Sequence, residues 1–289
     1  MTSVDDVPRR RVAVNGVELS LIDEGDGPAA LLLHGWPDSA RLWRFQIPAL
    51  VDAGLRVIAP DLRGFGDSDK PVDVAAYRVT ESVRDMTALL DALDIERVSV
   101  VGHDWGAPVA WLLSTFAPRR VQRLVALSVG HPAAFGAPDN GHPPFEHLRR
   151  QWYSLLFQFE GVAEQWLSDN DWWNMRAFAS GARDIDRYIT DLSRPGALTA
   201  SLNWYRANSQ PERMLRDPTA RPLPPVAAHI PVLGIWSTGD PYLVEAQMRT
   251  SERHVAGSWR YERVDGAAHW MQLDTPDVVT RLLLEHLSG

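Results

Sequence analysis

The sequence predicts an α/β fold, a mostly parallel, doubly wound sheet with a helical block inserted into it. Three observations carry this. Over the first 130 residues, short apolar runs bounded by turn residues alternate with amphipathic stretches. That is the pattern of strands buried on both faces and joined by right-handed helical crossovers. The alternation stops after Val129 and resumes with PVLGIWS at 231–237. Between them lies a Trp-rich, helix-like stretch with no convincing buried strand, flanked by the Pro-rich segments GHPAAFGAPDNGHPP and PERMLRDPTARPLPPVAAHIP. The expected organisation is a core of residues 1–130 and 227–289 carrying a helical cap over 131–226.

Each element follows in order. RVAVN and VELSLID, separated by Gly16, form an antiparallel hairpin. AALLLHG, LRVIAPD, RVSVVGH and RLVALSV are continuous apolar runs, as parallel strands covered on both faces require. The clearest helical period between them spans Thr80 to Leu93. After the insert, PVLGIWS and WRYERVD restore the strand rhythm, and VVTRLLLEHL closes the chain as a helix.

Composition narrows the function classes. With 45% hydrophobic and 23% charged residues, the chain of 289 residues buries a substantial core. Its net charge of -8 argues against nucleic-acid or anionic-membrane surfaces as partners. The absence of cysteine excludes a disulfide scaffold, a thiol nucleophile and thiolate metal sites. The N-terminal stretch MTSVDDVPRRRVAVNGVELS has no apolar run of signal-peptide length and no run reaches the length of a membrane span, so a cytoplasmic protein without membrane insertion is expected. His131, His142 and His147 fit no ligand spacing, and LRGFGDS lacks the third glycine of a dinucleotide loop. Neither a metal nor a cofactor is expected.

The chemistry centres on VVGHDWGAPVAW at 100–111. Gly102 and Gly106 flank Asp104 two places to either side, between a strand and a helix, which is the frame of a nucleophile elbow with a carboxylate at its centre. The following helix N-terminus favours the ionised form. A carboxylate has little use against acyl carbon, but it can displace a leaving group from saturated carbon and form an alkyl-enzyme ester. Hydrolysing that ester requires a base, and His269 in DGAAHWMQLDTP is the candidate. Asp240 in WSTGDPYL is positioned in the chain to orient it. Charge then develops on the Asp104 oxygen, for which the backbone N–H groups of Trp105 and of Trp36, in HGWP, are the expected donors.

These motifs resemble the α/β-hydrolase-fold epoxide hydrolases of the soluble type. HGWP at 34–37, DLRGFGDSDKP at 61–71, GHDWG at 102–106, GDPYL at 239–243 and GAAHWMQLDTP at 266–276 carry the resemblance across about two thirds of the chain. Haloalkane and haloacid dehalogenases resemble most of the same motifs. The leaving group separates them: an alkoxide needs a proton donor, whereas a halide needs only N–H donors. The resemblance implies two cap tyrosines, and QWYSLLFQFEG and SLNWYRANS supply Tyr153 and Tyr205 at the matching places. Position 36 departs from the common Phe; an Asn there would have suggested a dehalogenase. The reading implied is an epoxide hydrolase forming a vicinal diol, with a small apolar epoxide and water as its partners, acting as a monomer or homodimer. A dehalogenase is the alternative, and a ligand-binding hydrolase-fold protein without catalysis a remote one.

Overall fold

The computed structural model describes residues 8–134, 145–209 and 223–288. Eight strands form one sheet: β1 (Arg10–Val14), β2 (Val17–Glu24), β3 (Ala29–Leu33), β4 (Arg56–Pro60), β5 (Val98–His103), β6 (Val121–Leu127), β7 (Val232–Ser237) and β8 (Trp259–Val264). Their spatial order is β1-β2-β4-β3-β5-β6-β7-β8. Every predicted strand is present. The hairpin turns at Asn15 and Gly16, both at positive φ, the geometry a tight two-residue connection demands. β2 then runs antiparallel to β4, and all later pairings are parallel. Strands β3, β5 and β7 are buried at every position, which explains their unbroken apolar runs, whereas the edge strand β1 is largely exposed.

From β3 the chain moves outward to β4 and then returns to the other side of β3 to form β5, where Leu33 pairs with Gly102. The winding direction reverses there, and such a switch point opens a crevice at the carboxyl ends of the strands. α1 (Gln46–Asp52), α2 (Val79–Ala92) and α3 (Gly106–Phe116) are the crossover helices of this half. α2 begins one residue before the predicted span and ends one before it, as helix ends commonly do.

Between β6 and β7 the described residues form helices: α4 (Phe145–Arg150), α5 (Trp152–Leu156), α6 (Val162–Phe178), α7 (Ile185–Leu192) and α8 (Ala197–Asn208). A left-handed kink at Asn170–Trp172 divides α6. Val226 makes a single bridge to Val255. α7 and α8 lie over the loops at the carboxyl edge of the sheet. Trp204 Nε1 donates to the Arg63 carbonyl, Asn208 Nδ2 to that of Tyr77, and the Tyr188 hydroxyl to Asp38 Oδ2 at 2.7 Å. After β7 come α9 (Glu245–Thr250), α10 (Met271–Asp274) and α11 (Pro276–Leu287). No helix among the described residues is long and apolar enough to cross a membrane.

Candidate active site

Asp104 sits one residue past β5 with φ of 50°, a left-handed conformation that a non-glycine residue rarely adopts. The turn is tight enough that a Cβ at Gly102 would collide with the Gly106 carbonyl, and one at Gly106 with those of Leu33 and His34. These two glycines therefore allow β5, α3 and the loop after β3 to meet at one point. In that loop, a Cβ on Gly35 would overlap the Asp104 side chain. The consequence is direct contact: the Trp36 N–H donates to Asp104 Oδ1 at 2.7 Å. The neighbouring Trp105 N–H also favours the charged form of this carboxylate.

His269 follows β8 and Asp240 follows β7, so both side chains emerge on the same edge as Asp104. Asp240 Oδ2 lies 2.8 Å from His269 Nδ1, while its Oδ1 accepts the backbone N–H groups of Tyr242 and Leu243 at 2.8 and 3.0 Å. His269 Nε2 faces Asp104 Oδ2 at 3.5 Å. Burial alone would push the imidazole toward its neutral form, but the charges and hydrogen bonds of Asp240 and Asp104 outweigh it and raise its pKa to about 10. Burial likewise opposes ionisation of Asp104, and the His269 contact reverses that, holding the carboxyl below its ordinary value. In the resting site these two groups form an ion pair.

The opposite wall comes from the helices. Tyr153 on α5 and Tyr205 on α8 are buried, with ring centroids 5.8 Å apart. Burial, followed by the Asp104 charge for Tyr153 and by Tyr153 and then Asp104 for Tyr205, pushes both phenols well above their usual pKa. Both therefore keep their protons. The four other tyrosines donate to protein acceptors: Tyr77 to Pro71, Tyr188 to Asp38, Tyr242 to Phe178 and Tyr261 to Glu245. Among the described residues, Tyr153 and Tyr205 donate to none. The Trp105 ring stands edge-on to Tyr205 at 5.1 Å. The Trp36 indole donates to Ser201 Oγ at 3.1 Å.

A narrow cavity joins the two walls. Asp104, His269, Tyr153, Tyr205 and Trp36 line it, together with Phe178, Tyr242 and Trp270. All seven residues expected from the sequence thus converge, with Trp105 beneath Tyr205 and Asp240 behind His269. Sequence reasoning missed two contributors, Tyr242 and Phe178, whereas His34 and His103 are hydrogen-bonded structural groups as their places in the loops suggest. Tyr242 packs edge-on to His269 at 5.1 Å and to Tyr153 at 5.8 Å, and its place beside Asp240 in GDPYL was the one available hint. Phe178 is one aromatic among many in a helix, with no signal to single it out. His103 pairs its Nε2 with the His269 carbonyl at 2.9 Å, and burial depresses its pKa to about 4, so it donates as neutral imidazole. His34 is similarly engaged: its Nε2 accepts the Leu62 N–H and its Nδ1 meets the Gly35 carbonyl, tying the HGWP loop to the loop after β4.

His131 stacks on His254 with centroids 4.7 Å apart, and His142 lies outside the described residues. No group of three or more His, Asp or Glu side chains among the described residues could hold a metal ion.

Residues 28–276 match the α/β hydrolase fold family. The chain is 35% identical to AB hydrolase superfamily protein YfhM of Bacillus subtilis, over 99% of this chain and all of that protein. It is 33% identical to epoxide hydrolase A of Mycobacterium tuberculosis, over 97% of each chain. Among solved structures, epoxide hydrolase A from Mycobacterium thermoresistibile superposes with a TM-score of 0.79 at 32% identity, covering 98% of both chains. The Bacillus megaterium epoxide hydrolase in complex with an inhibitor gives 0.86 at 26% identity, covering 97% of this chain and all of the other.

Proposed function

The chain belongs to the α/β hydrolase fold family, within its epoxide hydrolase group, and from that premise we propose that it opens small apolar epoxides to vicinal diols through a covalent ester on Asp104. Residues 131–226 serve as the cap, and 1–130 with 227–289 as the core. The observation that carries this reading is the face-to-face arrangement of an ionised Asp104 and two buried, protonated phenols across one small cavity.

An Asp104 oxygen attacks a ring carbon, the C–O bond on that carbon breaks, and its electron pair moves to the epoxide oxygen. Tyr153 and Tyr205 hydrogen-bond that oxygen as charge builds and supply its proton. Esterification erases the Asp104 charge, one of the two anions that hold the proton on His269, so the imidazole gives that proton up to the phenolate. His269, now neutral and still oriented by Asp240, takes a proton from water while the resulting hydroxide adds to the Asp104 carbonyl carbon. The oxyanion is held by the N–H groups of Trp36 and Trp105. Collapse expels the second diol oxygen, which takes the proton left on the Asp104 carboxyl, and the resting ion pair returns.

The Trp36 indole, which could have cradled a halide, is otherwise occupied with Ser201, which favours epoxide over haloalkane as substrate. Mass spectrometry of His269→Gln treated with styrene oxide tests the scheme: the protein gains the mass of one epoxide on Asp104. An unmodified variant, under conditions where wild type forms diol, would refute the ester.

A further inference from the structure

Two hollows meet at the site. The catalytic cavity is lined on one side by Phe178 and Tyr242, and an outer cleft bordered by Arg150, Trp152, Thr238 and Pro241 has the same two residues as its inner wall. Their rings lie 5.1 Å apart and inclined by only 30°, forming a continuous aromatic screen. The Tyr242 hydroxyl donates to the Phe178 carbonyl at 2.8 Å, so the screen joins the loop after β7 to the end of α6. Around the cavity, Trp36, Tyr153, Tyr205, Tyr242, His269 and Trp270 are all buried. Apart from Asp104, Phe178 is the one lining residue that is partly exposed.

We infer that the Phe178–Tyr242 screen determines specificity by limiting the substituent that an epoxide can carry on the ring carbon facing the outer cleft. This rests on the epoxide hydrolase reading above. With the epoxide oxygen between the two phenols and one ring carbon at Asp104, a trans-1,2-disubstituted epoxide sends its two groups in opposite directions. One group occupies the aromatic cavity, and the other meets the screen. A monosubstituted epoxide presents only hydrogen there. Phe178 is held by ring packing against Trp36, Tyr153 and Tyr242 and by one hydrogen bond through its backbone, so truncating its side chain opens the cavity into the cleft while the triad keeps its own hydrogen bonds.

The test compares kcat/KM for trans-stilbene oxide and styrene oxide in wild type, Phe178→Ala, Phe178→Leu and Tyr242→Phe. The ratio of the first substrate to the second is expected to rise at least about tenfold in Phe178→Ala, the scale on which a pocket discriminates by size. Phe178→Leu, a milder truncation that keeps an apolar side chain in place, should shift the ratio the same way by less. Tyr242→Phe, which loses only the hydroxyl tie, should shift it least. A ratio unchanged in Phe178→Ala and Phe178→Leu, with styrene oxide still hydrolysed by wild type, would overturn the screen and leave the epoxide hydrolase reading standing. Failure of wild type to form diol from either epoxide would overturn both.

Discussion

The core wall and the helical wall of the cavity are built on different principles. Asp104, Asp240, His269 and the Trp36 N–H all stand on loops that leave the carboxyl ends of β5, β7, β8 and β3, and each is fixed by short hydrogen bonds to its neighbours. Tyr153, Tyr205 and Phe178 stand on helices and are held mainly by edge-on ring contacts between 5.0 and 5.8 Å. Beyond the Trp36–Ser201 and Tyr242–Phe178 hydrogen bonds at the cavity, further polar ties between the walls lie outside it. Arg187 on α7 reaches the buried Asp38 at 2.6 Å, Tyr188 shares that carboxylate, and Arg44 pairs with Asp184 at 2.7 Å. On the proposed mechanism, backbone geometry defines the reacting charges, while aromatic packing defines where the proton donors and the substrate's carbon skeleton sit. Damage to the first should erase the chemistry, and damage to the second should grade it.

The largest effect is expected in the core wall. Asp104→Ala should reduce diol formation by about 10⁴-fold or more, since the groups of such a triad act as a unit; a steady-state assay checks this, with circular dichroism verifying the fold. Removing the helical wall's phenols should cost less. The double variant Tyr153→Phe with Tyr205→Phe is expected to lose about 10²- to 10⁴-fold in kcat/KM, the usual worth of general acid catalysis, and each single variant only part of that. Equal losses in the core and phenol variants would erase the distinction between the two walls.

Stability and titration give smaller, separable signals. Arg187→Met leaves Asp38 buried beside Tyr188 with its cationic partner gone, and should lower unfolding free energy by about 3 kcal/mol in a urea titration. The pKa of His269 should respond to the core wall alone. Burial lowers it, and Asp240 and Asp104 raise it to about 10; Asp104→Asn removes one of those anions, so the imidazolium should lose its proton at least about one pH unit lower by NMR. The sign carries over to the ester, where Asp104 is also neutral: its hydrolysis should quicken as pH rises through the lowered His269 value. Tyr205→Phe should leave the pKa of His269 where it was.

Much of this was legible in the sequence because the core wall is dictated locally. A carboxylate between two glycines at a strand-to-helix turn can point in only one direction, and GDPYL and GAAHWMQ follow predicted strands, so their positions on one sheet edge follow from the fold. The unbroken apolar runs of β3, β5 and β7 announced burial on both faces. The helical wall was legible only where QWYSLLFQFEG and SLNWYRANS resemble a known family's segments. Phe178 and Tyr242 reach the cavity through the packing of α6 against the loop after β7, a long-range contact that leaves no periodic trace.

A single turnover in ¹⁸O-water, with enzyme in excess over styrene oxide, probes the Asp104 ester most directly. The first diol should carry only ¹⁶O, taken from the Asp104 carboxylate, and the peptide containing Asp104 should gain ¹⁸O. Heavy oxygen in that first diol, with the Asp104 peptide unlabelled, would mean that water attacks the epoxide itself and that no ester forms.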